Sequence, residues 1–139
     1  MAGESSGATE QPPRQILVID DDEQLREMLR RMLEYAGYDV VEACDGEEAM
    51  KLLRNREVDL VITDILMPNR EGLEPIMELR RGRPQLPIIA ISGGGGWSGS
   101  SSYLVTATKL GAAKTLAKPF TRQEILDAVA EVFAEAGAA

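Results

Sequence analysis

Short apolar segments alternate with stretches of helical periodicity along most of the chain, and this alternation restricts the possible folds more than any other feature. Parallel strands need a crossover of a dozen or more residues, which is usually a helix. Five strands that each precede a helix therefore predict a doubly wound α/β fold, with a five-stranded parallel sheet and helices on both faces. The predicted strands are Ile16–Ile19, Tyr38–Ala43, Val58–Thr63, Pro87–Ile91 and Lys114–Ala117.

Five helices are predicted after these strands, and in most of them apolar residues recur three and four positions apart. Two helices begin with capping-box spacing, at Asp45 with Glu48 and at Thr121 with Glu124. Right-handed crossovers and this chain length favour the strand order 2-1-3-4-5, in which strands one and three are neighbours. The predicted helices cover Leu25–Leu33, Ala49–Leu53, Leu73–Leu79, Tyr103–Leu110 and Ile125–Phe133.

The chain length suits one folded domain with a sizeable core. Residues 1–14 combine Gly, Ser, Glu and Pro without a period, which predicts a disordered leader. Residues 15–136 are predicted to form the single domain. Within it, Gly93–Ser102 contains five glycines and four serines around one tryptophan, a composition typical of a flexible loop.

Charge and composition exclude several classes of function. A net charge of -8 and the absence of a basic run argue against direct binding to nucleic acid, because phosphate contacts need clustered Lys and Arg. No apolar stretch approaches the ~20 residues of a membrane span, so no membrane insertion is expected. The single cysteine, Cys44, suits a reducing cytoplasm. The chain has no histidine, so it contains neither a histidine base nor a phosphohistidine.

Acidic residues follow two strands that are neighbours in the predicted sheet. Asp64 ends the third strand, and Asp20 and Asp21 follow the first. A strand that is apolar on both faces cannot hold a carboxylate in the core without a large desolvation cost. Asp64 is therefore expected at the carboxyl end of its strand, facing water. Ligands bind beyond the carboxyl ends of such strands, where the three acids are expected to converge.

Converging carboxylates repel one another, at a cost on the order of 4 kcal/mol for each close pair at an effective dielectric of about 20. A hard divalent cation, Mg²⁺ or Mn²⁺, is the expected counter-charge, since such ions prefer oxygen ligands. Lys118 and Ser92 end the fifth and fourth strands and add an ammonium and a hydroxyl to the same rim. This set suits phosphoryl transfer onto Asp64, because aspartate is an established covalent nucleophile.

The sequence closely resembles the receiver domain of bacterial two-component response regulators, from about Ile16 to Phe133. The resemblance rests on Ile-Asp-Asp-Asp-Glu at 19–23, Thr-Asp-Ile-Leu-Met-Pro at 63–68, Ser92, and Lys-Pro-Phe at 118–120, in that order. It implies a (βα)5 flavodoxin-like receiver fold and a phosphoacceptor signalling domain that is not an enzyme in its own right. Because little chain follows Phe133, a stand-alone regulator is expected.

The resemblance assigns roles to the carboxylates. Asp64 is the expected phosphoacceptor. The metal ion is expected to be held by Asp20, Asp21 and Asp64 together with the backbone carbonyl of Leu66. These assignments make the acid cluster a magnesium-dependent acceptor site.

The same resemblance assigns the remaining groups and the partners. Lys118 is expected to pair with the phosphoryl group, and Ser92 to move and bind it in the active state. The Lys118–Pro119 bond is expected to be cis. A histidine kinase or phosphotransfer protein would supply the phosphoryl group. A downstream protein would then read the face formed by the fourth helix, fifth strand and fifth helix.

Two other functions stay open on the sequence. Asp20 and Asp22 form an Asp-x-Asp pair such as aspartyl-phosphate hydrolases carry on their first strand, although Glu23 and Gln24 replace the residues expected after it. A degenerate receiver that serves only as a scaffold is also compatible with the long Gly/Ser loop. Thr115 also favours the scaffold interpretation, because the family often has an aromatic switch residue at that position.

Three residues near these motifs have simpler structural interpretations. Asp22 is predicted to be a helix cap or a turn residue. Gly37 is predicted to end the first helix as its C-cap. Cys44 is predicted to be a small apolar filler of the core.

Overall fold

The computed structural model describes residues 13–64, 73–92 and 111–138. The loop at 93–102, the helix predicted over 103–110, Leu66 and all but the last two residues of the predicted leader lie outside these ranges. The described elements, in chain order, are β1 (Gln15–Ile19), α1 (Glu23–Tyr35), β2 (Asp39–Ala43), α2 (Gly46–Asn55), β3 (Leu60–Asp64), α3 (Leu73–Gly82), β4 (Ile88–Ser92), β5 (Lys114–Ala117) and α4 (Arg122–Ala138).

The five strands form one parallel sheet in the order β2-β1-β3-β4-β5. This confirms the predicted fold class and the order 2-1-3-4-5. The register aligns the strand ends, because Thr63 pairs with Ile19, Asp64 with Ile91, and Ser92 with Ala117. The residues that end β1, β3, β4 and β5 therefore lie along one edge of the sheet.

The central strands β1, β3 and β4 are buried on both faces, as their continuous apolar sequences require, while the edge strands β2 and β5 are partly exposed. Alternate strand residues point to opposite sides, so each central strand contributes to two cores. One core packs against α2 and α3 and contains Leu17, Ile19, Val61, Ile88, Ala90, Leu53 and Leu79. The other packs against α1 and α4 and contains Ile16, Val18, Ile62, Ile89, Leu29, Leu33, Ile125 and Val129.

The predicted helix caps explain where α1 and α4 begin. The Asp22 carboxylate accepts from the backbone N–H groups of Gln24 and Leu25, at 3.0 and 3.3 Å. Thr121 and Glu124 form a full capping box, in which each backbone N–H donates to the other side chain, at 2.7 and 3.0 Å. Both predictions are confirmed, and each cap satisfies donors that the first helical turn leaves unpaired.

The start of α2 differs from the prediction. Asp45 accepts from the N–H of Glu48 at 2.8 Å, but the Glu48 carboxylate accepts from Cys44 at 2.7 Å instead of from Asp45. Cys44 is exposed, so the prediction that it fills the core is wrong. It follows the last residue of β2 and lies in the turn before α2, beyond the packed face of the strand.

Two further backbone features follow their predictions. Gly37 directly follows Ala36, the residue that caps α1, and has φ 103°, the left-handed conformation that glycine often adopts at a helix end. The Lys118–Pro119 peptide bond is cis. Among the helices of the described ranges, none is long and apolar enough to cross a membrane.

Candidate phosphoacceptor and metal site

Charged groups from three strand ends meet at the carboxyl edge of the sheet. Asp64 is the last residue of β3, Asp20 follows β1, and Lys118 follows β5. The Lys118 Nζ lies 3.0 Å from Asp64 Oδ2 and 3.8 Å from Asp20 Oδ2. Because β4 lies between β5 and β3, the lysine side chain spans the width of β4 to reach both acids.

The three predicted acids converge. Asp20, Asp21 and Asp64 each present a carboxylate oxygen, and these oxygens lie within 4.8 Å of one another. Asp64 is at its strand end as predicted, but the expectation that it faces water is wrong, since only 5% of it is exposed. The ion pair with Lys118 offsets the desolvation cost that led to that expectation.

Asp20 is the most deeply placed of the acids, with 1% exposure. Burial raises the pKa of its carboxyl group to about 7, and the charges of Asp64 and Asp21 act in the same direction. The backbone N–H of Asp22, which donates to Asp20 Oδ1 at 2.8 Å, and the Lys118 ammonium lower that pKa and only partly offset the burial. Near neutral pH the cluster therefore needs more positive charge to keep Asp20 ionised.

The residues fit a hard divalent cation. Among the described residues, the cluster joins three carboxylates with the single ammonium of Lys118, which contacts two of them, and every ligand atom that the cluster offers is a carboxylate oxygen. Mg²⁺ and Mn²⁺ favour such ligands, and a second positive charge would remove the cost that burial imposes on ionised Asp20. Leu66, the fourth expected ligand, lies outside the described residues.

Ser92 brings a hydroxyl group to the same edge. It ends β4, is fully buried, and its carbonyl accepts from the N–H of Lys118 at 2.8 Å. Within the described part of the chain, the Ser92 Oγ has no hydrogen-bond partner. An unpaired buried hydroxyl costs roughly 1–3 kcal/mol, so this group is suited to bind an oxygen of an incoming ligand.

Arg26 contacts the site although no sequence pattern indicated it. Its Nη1 donates to the backbone carbonyl of Asp20 at 2.6 Å, and its Nε pairs with Glu42 Oε1 at 3.1 Å. Arg26 lies on α1 and Glu42 on the neighbouring strand β2. The contact depends on how helix and strand pack, which helical periodicity alone does not show.

Replacing Asp20 with asparagine is expected to stabilise the metal-free protein at pH 8 by roughly 2–4 kcal/mol. Folding raises the pKa of Asp20 from 3.8 to about 7, so the folded state binds the proton more tightly. The resulting stability is complete below pH 3.8 and is lost as the pH rises through about 7. Urea unfolding in EDTA at pH 5 and pH 8 measures this, with a larger gain expected at pH 8. Equal stability of the two proteins at pH 8 would contradict the inferred cost of burying the ionised Asp20 carboxylate.

Comparison with known proteins identifies the family. The model of the family described as the response regulator receiver domain matches residues 16–130. Response regulator MprA of Mycobacterium sp. (strain KMS) is 41% identical over 114 residues, covering 82% of this chain and 48% of that protein. The alkaline phosphatase synthesis transcriptional regulatory protein PhoP of Bacillus subtilis (strain 168) is 34% identical over 112 residues, covering 81% and 45%. The chain thus spans about half the length of these curated relatives.

Solved structures agree with this family. A CheY-like receiver domain from Methanospirillum hungatei JF-1 superposes with a TM-score of 0.79 at 26% identity, covering 91% of this chain and 98% of that one. A putative response regulator from Chloroflexus aurantiacus J-10-fl gives 0.78 at 33% identity, covering 88% and 98%. With the matched family, the sheet order and the acid cluster in agreement, the chain belongs to the response regulator receiver domain family.

Proposed function

We propose that this receiver domain accepts a phosphoryl group on Asp64 from a phosphohistidine of a partner histidine kinase or phosphotransfer protein. The family signals through phosphorylation and binds Mg²⁺ at a cluster of aspartates. The observation that carries the proposal is the buried Asp64 carboxylate, which lies 3.0 Å from the Lys118 ammonium and within a group of three acids.

The transfer begins with attack of an Asp64 carboxylate oxygen on phosphorus. The new P–O bond forms as the P–N bond to the partner's histidine breaks, and the imidazole takes up a proton as it leaves. Lys118 holds Asp64 in place and then pairs with the oxygens of the acyl phosphate. Asp20, Asp21 and Asp64 would hold a divalent cation, whose charge would help to neutralise the phosphoryl oxygens.

Ser92 is proposed to bind the phosphoryl group after transfer. Its buried hydroxyl, which has no partner among the described residues, can donate to a phosphoryl oxygen. That bond removes the cost of the unsatisfied hydroxyl. Phosphorylation at the end of β3 would thereby draw the end of β4 toward it, which is a local change that a partner can read.

The signal is proposed to pass to a downstream protein through the face made by residues 103–110, β5 and α4. On the described part of this face, Lys114 of β5 pairs with Glu131 of α4 at 2.6 Å. Thr115 of β5 occupies the position where the family often has an aromatic side chain. Residues 15–136 are proposed to form the receiver domain and to make no direct contact with nucleic acid, since the whole chain has a net charge of -8. The single cysteine supports a cytoplasmic location for this exchange.

The hydrolase alternative has less support. It needs Asp22 as a second catalytic acid, but the Asp22 carboxylate caps α1 and is not a member of the three-acid cluster. The scaffold alternative has less support as well. Lys118 contacts Asp64 and Asp20, and Asp21 completes the group of acids that a competent acceptor needs.

Incubation with acetyl phosphate and Mg²⁺ is expected to increase the intact mass of the protein by one phosphoryl group. Removal of the metal with EDTA is expected to slow the gain by about 100-fold or more, because the added charge on the phosphoryl oxygens is lost. Time-resolved mass spectrometry measures both rates, and Mn²⁺ should replace Mg²⁺. A mass gain that proceeds equally fast in EDTA would contradict the metal-assisted site.

A further inference from the structure

Arg26 lies against the acidic turn between β1 and α1 and is held at two points. Its Nη1 donates to the Asp20 carbonyl at 2.6 Å, while its Nε pairs with Glu42 at 3.1 Å. Its side chain is only 15% exposed. Charge-assisted hydrogen bonds from a rigid guanidinium are strong and directional, so the carbonyl oxygen of Asp20 has one preferred position.

Fixing that oxygen also orients Asp21. The carbonyl belongs to the planar peptide unit that joins Asp20 to Asp21, so its direction fixes the position of the N–Cα bond of Asp21 and restricts where the Asp21 side chain can lie. The Asp20 carboxylate has its own restraint, the 2.8 Å hydrogen bond from the N–H of Asp22. Asp21 is exposed, and within the described residues no hydrogen bond holds its carboxylate. The orientation of the Asp21 carboxylate therefore depends on the backbone.

Repulsion works against this arrangement. Without a cation, the Asp21 carboxylate gains by turning away from Asp20 and Asp64, whose oxygens lie within 4.8 Å of its own. If nothing held the turn between β1 and α1, the peptide between Asp20 and Asp21 could rotate so that the Asp21 carboxylate moves away from the other two acids. The hydrogen bond from Arg26 opposes such a rotation of the Asp20–Asp21 peptide.

We propose that Arg26 is a positioning residue for the divalent-cation site, which it preorganises by orienting the peptide between Asp20 and Asp21. The proposal rests on the proposed function, because it concerns the same metal site. Arg26 does not contact the cation or the phosphoryl group in this role. It lowers the cost of bringing the Asp21 carboxylate into the cluster.

The sign of the effect distinguishes positioning from simple charge. Deleting a positive charge near an acidic site makes the site more negative, which favours cation binding. Loss of a positioning contact weakens cation binding instead. Arg26→Gln is therefore expected to raise the dissociation constant for Mg²⁺ by about five- to tenfold, the effect of one charge-assisted hydrogen bond.

Two arginines of the same helix provide matched controls. Arg30 also pairs with Glu42, at 3.0 Å, without contacting Asp20. Arg31 pairs with Glu27 at 2.7 Å on the exposed side of α1. Arg30→Gln and Arg31→Gln remove the same charge as Arg26→Gln, and both are expected to leave the dissociation constant unchanged or slightly lower.

Isothermal titration with Mg²⁺ measures the binding, and urea unfolding in EDTA measures the stability of the metal-free fold separately. If Arg26→Gln does not fold, Arg26→Lys serves in its place. Lysine keeps the positive charge but lacks the planar guanidinium group that reaches both Glu42 and the Asp20 carbonyl, so weaker Mg²⁺ binding in that variant reports lost positioning and not changed charge. A loss of affinity in Arg26→Gln or Arg26→Lys that is absent from Arg30→Gln and Arg31→Gln supports the proposal.

Unchanged or tighter Mg²⁺ binding in Arg26→Gln would overturn the positioning role. An equal loss of Mg²⁺ affinity in Arg30→Gln would also overturn it, because Arg30 does not contact the Asp20 carbonyl. Failure of the unsubstituted protein to bind Mg²⁺ would instead overturn the proposed metal site itself. The two failures are therefore distinguishable in one titration series.

Discussion

Asp64→Asn is expected to abolish phosphorylation by acetyl phosphate, with a rate reduced on the order of 1000-fold or more. An amide oxygen is a far weaker nucleophile than the carboxylate that it replaces. The neighbouring acids Asp20 and Asp21 remain, but neither has the 3.0 Å contact with Lys118 that holds Asp64. Intact-mass spectrometry with Mg²⁺ present measures the rate.

Asp59→Asn is the matched control for that variant. Asp59 directly precedes β3, at the end of the strand away from the site, and its carboxylate accepts from the N–H of Gln15 at 2.8 Å. Asparagine can still accept that hydrogen bond, so the control should take up label at the normal rate. Substantial labelling of the Asp64→Asn protein at the normal rate would place the acceptor elsewhere.

Lys118→Met is expected to have the second largest effect, and it separates two roles of the lysine. The 3.0 and 3.8 Å contacts with Asp64 and Asp20 disappear, which leaves two buried carboxylates without their ammonium partner. The metal-free protein should lose roughly 2–4 kcal/mol of stability. The phosphorylation rate should fall by about 100- to 1000-fold, because charge on the transferred group is no longer neutralised.

Metal binding provides the internal check on Lys118→Met. Saturating Mg²⁺ is expected to restore much of the stability, because the cation balances the negative charge of the carboxylates. The phosphorylation rate is expected to stay low. Lys114→Met is the control, at the start of the strand that Lys118 follows. Its ion pair with Glu131 is more exposed, so its removal should change the stability far less than Lys118→Met does. A Lys118→Met protein that is phosphorylated normally would contradict the role given to this lysine.

The sheet could be predicted from the sequence because its strands are short, apolar and separated by helical periods. Val61 and Ile62 point to opposite faces and are both buried, which only a strand covered on both sides permits. The same pattern located Asp64 and Ser92 at strand ends. Topology rules then predicted that the three acids lie at the same edge of the sheet.

Features that depend on tertiary contacts could not be predicted in this way. The burial of Asp64 depends on the reach of Lys118 across β4, and the contact of Arg26 depends on Glu42 of another element. The exposure of Cys44 follows from a turn that begins one residue after β2. In each case the deciding partner is distant along the chain or outside the periodic segment.

Chemical trapping of the acyl phosphate identifies the residue that carries it, which is expected to be Asp64. The unsubstituted protein would be incubated with acetyl phosphate and Mg²⁺ and then reduced with borohydride, which converts an aspartyl phosphate to homoserine. Peptide sequencing by tandem mass spectrometry is predicted to find homoserine at position 64, and none when Mg²⁺ is replaced by EDTA. Homoserine at Asp20 or Asp21, with aspartate intact at position 64, would contradict the account.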